Sequence, residues 1–324
     1  MVNKIGDIAV LLAIAASFFL YRSVDFSIIF AITPYILSET FNFFNLNING
    51  IIFITFLMFI GAVGKSAQLG LHTWLPSAME GPTPVSALIH AATMVTAGIF
   101  LIIRSSPLFE FTESILIFII IIGGFTAFFS AIIGVFQYDV KKIIAYSTCS
   151  QLGYMFFSCG LSNYQVAIFH LFNHAFFKAL LFLSAGSIIH AMFDEQDMRR
   201  FGGLINFLPF TYLCILVGSL AIMGFPFLTG FYSKDLVLEL AYSRYIIEGT
   251  FIYFLGISAA FFTAVYSIRL ILFTFFFKSN SLRIWDKQRM SRKQLSEGRS
   301  VLTYVTDRTK EADKEIQSLA QIQL

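Results

Sequence analysis

Charge is what this chain has least of. Asp, Glu, Lys and Arg supply 13% of its 324 residues, against 57% hydrophobic residues and a mean hydropathy of +0.77. A soluble domain carries about a quarter charged residues, so composition alone makes this a membrane protein. Cysteine is scarce too. Cys149, Cys159 and Cys214 each lie singly in an apolar run with no CxxC pairing, which excludes a thiolate-held zinc or iron–sulfur cluster and leaves them as packing residues. There is no Gly-rich phosphate loop and no flavin motif. No cofactor, no metal and no nucleic acid is therefore expected on this chain.

The few charges are unevenly spread. Residues 1–277 hold 12 Lys/Arg and 13 Asp/Glu, whereas 278–324 hold 10 and 6, so the net +3 comes from the tail. Mixed charges at helical spacing in 278–324 suggest a polar basic helix that docks on a neighbouring subunit or on an anionic lipid such as cardiolipin. At the other end, Asp7 interrupts the charged region of "MVNKIGDIAVLLAIAASFFLY" and no small-residue cleavage site follows, which favours a retained first span over a signal peptide. Forty Phe and an excess of Ile over Val hint at an AT-rich, organellar coding sequence.

What is abundant is long apolar runs. A span needs about 20 apolar residues, and eight stretches qualify: about 5–21, 49–76, 85–103, 114–136, 141–161, 164–193, 204–242 and 250–277. The predicted fold is an all-α polytopic membrane protein. Residues 22–48, broken by Pro34 and several Asn, are expected to form an interfacial loop. Two spans carry interruptions, Gly61, Gly64 and Gly70 around Lys65, and Gly224, Pro226 and Gly230 before Lys234. Paired broken helices free backbone dipoles in mid-membrane and point to a transporter's ion site.

The two breaks lie five spans apart, which suggests one repeated unit of five spans: residues 1–103 hold the last three spans of one copy, and 104–277 a complete five-span copy. Eight spans place both termini, with Lys4, Lys141, Lys142, Arg199 and Arg200, on one side against Arg22, Arg104 and Arg244. The positive-inside rule assigns that first side to the matrix or cytoplasm.

An unpaired charge at the bilayer centre costs about 2.5–3.5 kcal/mol, so Lys65, His90, Lys178 and Lys234 each need a partner or a purpose. In "FHLFNHAFFKALLFLSAG", His170, His174 and Lys178 advance by four and share one helix face over about 12 Å. Such a ladder can relay protons through intervening water. Asp235 adjoins Lys234 but points about 100° away, a doubtful direct partner. Asp7, a turn beyond Lys4, reads as a simple pair with it. Asp139, Lys141 and Lys142 read as a solvated loop, and His190 as an interfacial residue rather than an inlet. His72, Trp74 and Glu80 fit a structural turn as well as a proton-uptake role.

The stretch "GAVGKSAQLGLHTWLPSAMEGPTPVSALIHAATMVTAGIFLI" resembles the antiporter-like membrane subunits of NADH:ubiquinone oxidoreductase, respiratory complex I, and most of all the chain 5 family. The resemblance continues through "DVKKIIAYSTCSQLGYM", "FNHAFFKALLFLSAGSIIHAM", "DEQDMRRFGGL" and "GFPFLTGFYSKDLVLE", covering about residues 2–277. It implies a proton-pumping module in the mitochondrial inner membrane, without a redox site, working with other membrane-arm subunits. Lys65 and His90 then match the first half-channel. His170, His174 and Lys178 match the connecting ladder, and Lys234 with Asp235 the second broken helix. Family members have further spans before "VNKIGD", one bearing a glutamate that pairs with the lysine at 65. A separate polypeptide is therefore expected to supply that carboxylate and those spans. A subunit of a sodium/proton antiporter, or a structural arm component with no proton path, are the competing readings.

Overall fold

The computed structural model describes residues 2–43, 46–192, 194–244 and 247–277; the predicted tail helix lies outside the described residues. Helix α1 (Val2–Tyr21) buries Gly6, Ala9, Ala13 and Ser17, spaced three and four apart on one face. That small-residue face lets α1 lie against α3 (Gly50–Lys65): a Cβ on Gly64 would come within 3.2 Å of the Gly6 Cα. The opposite face of α1, with Ile8, Leu11 and Phe18, is exposed and suits lipid or another apolar chain.

Between α1 and α3 the expected interfacial loop has more structure than its composition suggests. Helix α2 (Phe26–Ile32) is followed by an antiparallel hairpin, β1 (Thr40–Phe43) and β2 (Leu46–Asn49), with Thr40 opposite Asn49. The last hairpin residue also starts α3. Asn49 Oδ1 accepts from the amides of Ile51 and Ile52 at 3.0 and 3.4 Å, satisfying two of the helix's free donors.

The first break follows Lys65. Residues 66–73 leave the helix through Ala67 (φ +48°) and Gly70 (φ +97°) before α4 (Trp74–Ser77). Carbonyls freed by the break find donors: Trp74 Nε1 donates to Gly64 O at 3.0 Å, and Gln68 Nε2 to Ser66 O at 3.1 Å. The third span is α5 (Thr83–Val85), a π-helical segment Ser86–Thr93 and α6 (Thr96–Arg104); α7 (Ser106–Phe109) is a single turn after it.

Helices α8 (Glu113–Phe136), α9 (Val140–Gly160) and α10 (Tyr164–Ala191) follow. The seventh span is broken as predicted, into α11 (Pro209–Met223) and α12 (Thr229–Ser243). Gly224 (φ +84°) ends α11 in the left-handed region, where the Phe225 amide donates to Leu220 O at 3.1 Å. A Cβ on Gly230 would overlap Ala221 O, so glycine alone lets the two halves approach. Helix α13 (Ile247–Ile271), extended by a π turn Leu272–Phe276, is the last described helix.

Helix α9 sits at the centre. From Val140 to Gly160 every residue but Lys142 and Tyr146 is buried. It lies backbone to backbone with α8, where a Cβ on Gly153 would fall 2.6 Å from the Ala127 amide nitrogen. Because protein surrounds it, α9 can carry Ser147, Gln151 and Tyr154 where a lipid-facing helix could not. Its start corrects the solvated-loop expectation for 139–142. Lys142 pairs with Asp139 at 3.0 Å in solvent, but Lys141, turned about 100° from it by the helix, is 5% exposed and donates to Gly81 O at 3.0 Å.

Candidate functional site

The expected ladder exists, and it is half of a larger arrangement. His170, His174 and Lys178 project from α10 with exposures of 1%, 0% and 0%. Facing them is a stripe on α9, Ser147, Gln151 and Tyr154, at helical spacing. Lys178 Nζ donates to Ser147 Oγ at 2.5 Å and to Ile144 O at 3.3 Å. His170 Nε2 lies 3.1 Å from Gln151 Oε1, and its Nδ1 lies 2.9 Å from Ser233 Oγ on α12. The line therefore passes from α10 through α9 to the second broken helix.

Next to Ser233 stands Lys234, 1% exposed. Its Nζ donates to Thr263 Oγ1 at 3.1 Å and to Ile222 O, a carbonyl freed by the break, at 3.5 Å. It also rests 5.1 Å above the Tyr154 ring, whose hydroxyl donates to Gly256 O at 2.6 Å. Among the described residues no carboxylate lies within ion-pair distance of Lys178 or Lys234. Asp235 is half-buried beside Lys234 without pairing to it, as the helical angle predicts.

His174 is the weak link in this chain of bonds. Both its ring nitrogens are buried without a protein partner, and the Gln151 amide nitrogen shares that condition. The His170 and His174 rings are 6.5 Å apart between centroids. Both nitrogens of His170 are engaged, which leaves no lone pair free for a metal, and the described residues contain no cluster suited to one.

Lys65 stands apart and corrects one expectation. Its Nζ lies 2.8 Å from Asp7 Oδ1 on α1, so Asp7 pairs across helices rather than with Lys4. Within this chain Asp7 is thus the carboxylate that meets Lys65. The reason is the glycine contact of α1 with α3, which brings Asp7 beside the end of α3 where sequence spacing gives no sign of it. This pair is part-exposed, 35% and 54%, unlike the buried line. His90 lies on the π-helical segment, and its side chain lies outside the described residues. His72, near the first break, has a buried Nδ1 without a partner and borders a narrow gap with Ser130 and Cys149.

Sequence reading found the lysines and histidines but missed Ser147, Gln151, Ser233 and Thr263. The signal for the first two was present: polar residues at 147, 151 and 154 repeat at 3.5 positions inside a predicted span.

Two broken helices, with buried lysines, histidines and hydroxyl groups packed between them, define an antiporter-like polytopic membrane fold. The chain belongs to the family whose model is described as "NADH:quinone oxidoreductase/Mrp antiporter, TM", which it matches over residues 1–263. It is similar to NADH-ubiquinone oxidoreductase chain 5 of Acanthamoeba castellanii, 58% identical over 282 residues, covering 87% of this chain and 42% of that protein. Chain 5 of Arabidopsis thaliana is 60% identical over 281 residues, again covering 87% and 42%. The chain thus spans less than half the length of these curated relatives. Among solved structures, a chain of the Mrp complex from Dietzia sp. DQ12-45-1b superposes with a TM-score of 0.70 at 29% identity, over 83% of this chain and 29% of that one.

Proposed function

We propose that this chain is a proton-translocating part of the membrane arm of an NADH:ubiquinone oxidoreductase, with redox chemistry carried out by other subunits. The observation that carries the reading is a row of buried polar groups in an otherwise apolar bundle: Lys178 bonded to Ser147, Gln151 bonded through His170 to Ser233, and Lys234, next to Ser233 in sequence, bonded to Thr263. Apolar side chains would be cheaper to insert at each position. The chain 5 relatives support the choice of complex.

His170 can hand a proton on without leaving its place. If its Nε2–H donates to the Gln151 oxygen, Nδ1 accepts from Ser233. If the Gln151 amide turns over and its nitrogen donates, Nε2 accepts and Nδ1–H donates to Ser233. Each tautomer is supported by the same two neighbours, so proton uptake at one nitrogen and release at the other returns the site to a bonded state. Lys178 and Lys234 load and unload at either end, and His174 completes the path through water. Lys65 with Asp7, together with His90, forms the first half-channel, and Asp235 tunes Lys234 by charge. Residues 1–103 and 104–277 are two copies of one repeat, the second complete. The setting is the mitochondrial inner membrane, with other membrane-arm subunits as partners.

Lys178→Met in the assembled complex tests the reading. Protons moved per NADH oxidised should fall while the complex still assembles, and an unchanged yield would assign the chain a structural role. Likeness to the Mrp chain favours a second reading, a sodium/proton antiporter subunit. It differs in one measurable way, since proton transfer would then proceed without NADH and quinone.

A further inference from the structure

Tyr266 on α13 is 3% exposed, and its hydroxyl makes no hydrogen bond of ordinary geometry to the described residues. Tyr154, by contrast, commits its hydroxyl to Gly256 O at 2.6 Å. A buried tyrosine normally finds a partner for its O–H, and phenylalanine would fill the same space without a polar atom to satisfy. The neighbours of Tyr266 give the hydroxyl a use.

The ring packs where α8, α9 and α13 meet. A Cβ on Gly134 of α8 would lie 3.5 Å from Tyr266 Cδ1 and 3.7 Å from the Cβ of Tyr146, the residue before Ser147 on α9. Ser147 is the side chain that acts on the Tyr266 hydroxyl most directly. Its Oγ accepts from Lys178 and donates to Ile144 O at 2.8 Å, which leaves one lone pair able to accept from Tyr266. In the other direction, Tyr266 comes one turn after Thr263 on the same helix. Long side chains on a helix lean toward its N-terminus, over the residues three and four positions earlier. Here that places the phenol over Thr263, which accepts from Lys234 Nζ at 3.1 Å. Tyr154, whose ring lies under Lys234, is also within electrostatic reach of Tyr266.

We propose that the Tyr266 hydroxyl is a proton-transfer group that joins the Lys178–Ser147 pair to the Lys234–Thr263 pair along α13, in parallel with His170. The proposal rests on the relay reading above. Ser147 turns its O–H from Ile144 O to Tyr266, and Thr263 turns its own to the neutral Lys234 amine. The Lys178 ammonium then gives a proton to Ser147 Oγ as Ser147 passes its own to Tyr266, Tyr266 passes its own to Thr263, and Thr263 passes its own to Lys234. Lys178 ends neutral, Lys234 ends as the ammonium, and each of the three hydroxyls keeps one proton. Rotation about the C–O bonds resets the path.

The test uses Tyr266→Phe in the assembled oxidoreductase, because phenylalanine keeps the ring against Gly134 and removes the hydroxyl alone. Protons moved per NADH oxidised should fall by a measurable part of the loss seen in Lys178→Met, with the amount of assembled complex unchanged. An unchanged yield overturns the proposal. Ser147→Ala interrupts the same path one group earlier, so adding Tyr266→Phe to Ser147→Ala should lower the yield no further. A further fall in the double variant places Tyr266 outside this path and overturns the proposal, a readout that a purely structural role would not satisfy. Should Tyr266→Phe fail to assemble, Ser147→Ala alone decides, an unchanged yield overturning the connection and a lowered one supporting it. Lys178→Met tests the underlying reading separately. An unchanged yield there removes the relay itself, whereas a lowered yield in Lys178→Met with a normal one in Tyr266→Phe removes only the Tyr266 connection.

Discussion

Gln151 is where residue-scale chemistry decides the continuity of the line, because it is the α9 side chain that meets His170 Nε2 on α10. Removing one partner of a buried hydrogen bond costs about 1–3 kcal/mol, which corresponds to roughly tenfold or more in rate if the bond is needed in the transfer step. Gln151→Leu should therefore slow proton translocation about tenfold per assembled complex, read as the initial rate of acidification per NADH oxidised. Equal rates would remove Gln151 from the path. At the membrane surface, Asp197 is held below its ordinary carboxylate range by the Arg199 side chain, which donates from Nε at 3.0 Å, and by the Arg199 amide. A depressed carboxyl contributes stability above its unfolded value and loses it as pH falls through the folded value. Amide protection in 197–200, corrected for intrinsic exchange, should thus be flat between about pH 5 and 8 and decline below the ordinary value of 3.8. Asp197→Asn should remove that decline.

Elements are held in place by a few specific contacts. Asn49 joins the hairpin to α3, and loss of such a cap costs about 0.5–2 kcal/mol. Asn49→Ala should lower the thermal unfolding midpoint without altering proton yield, whereas an unchanged midpoint would mean the hairpin adds nothing to α3. Gly153 has a stronger constraint, as any Cβ there meets the α8 backbone at 2.6 Å. Gly153→Val should separate α8 from α9 and reduce the amount of assembled complex, measured on native gels. Most of the spans and both breaks were readable from apolar run length and from glycine and proline position. Helix α2 and the hairpin were not, because their composition is that of a loop and only the cap by Asn49 and strand pairing with Thr40 give them form. The inward turn of Lys141 was likewise hidden. In sequence it is indistinguishable from Lys142, and one residue of helical rotation separates a solvated ion pair from a buried group bonded to Gly81 O.

At the scale of the whole molecule, the basic loops gather at one end, where an isolated bridge pairs Asp139 with Asp197. This arrangement predicts that, in sealed membrane vesicles that enclose the positive-inside face, an epitope placed before Val2 is protected from protease, while one in the loop around Arg244 is digested. The reverse pattern would overturn the orientation read from the basic loops. By itself the sequence determined the membrane setting, the two breaks and the ladder of His170, His174 and Lys178, since hydropathy and helical period act within a single segment. Tertiary structure alone decided which polar groups meet. It drew Asp7 to Lys65 through a glycine contact between helices, set Gln151 and Ser233 on the two nitrogens of His170, and turned Lys141 inward to Gly81 O. Those outcomes depend on helix packing across long sequence separations, and no periodicity within one helix encodes the distance to the next.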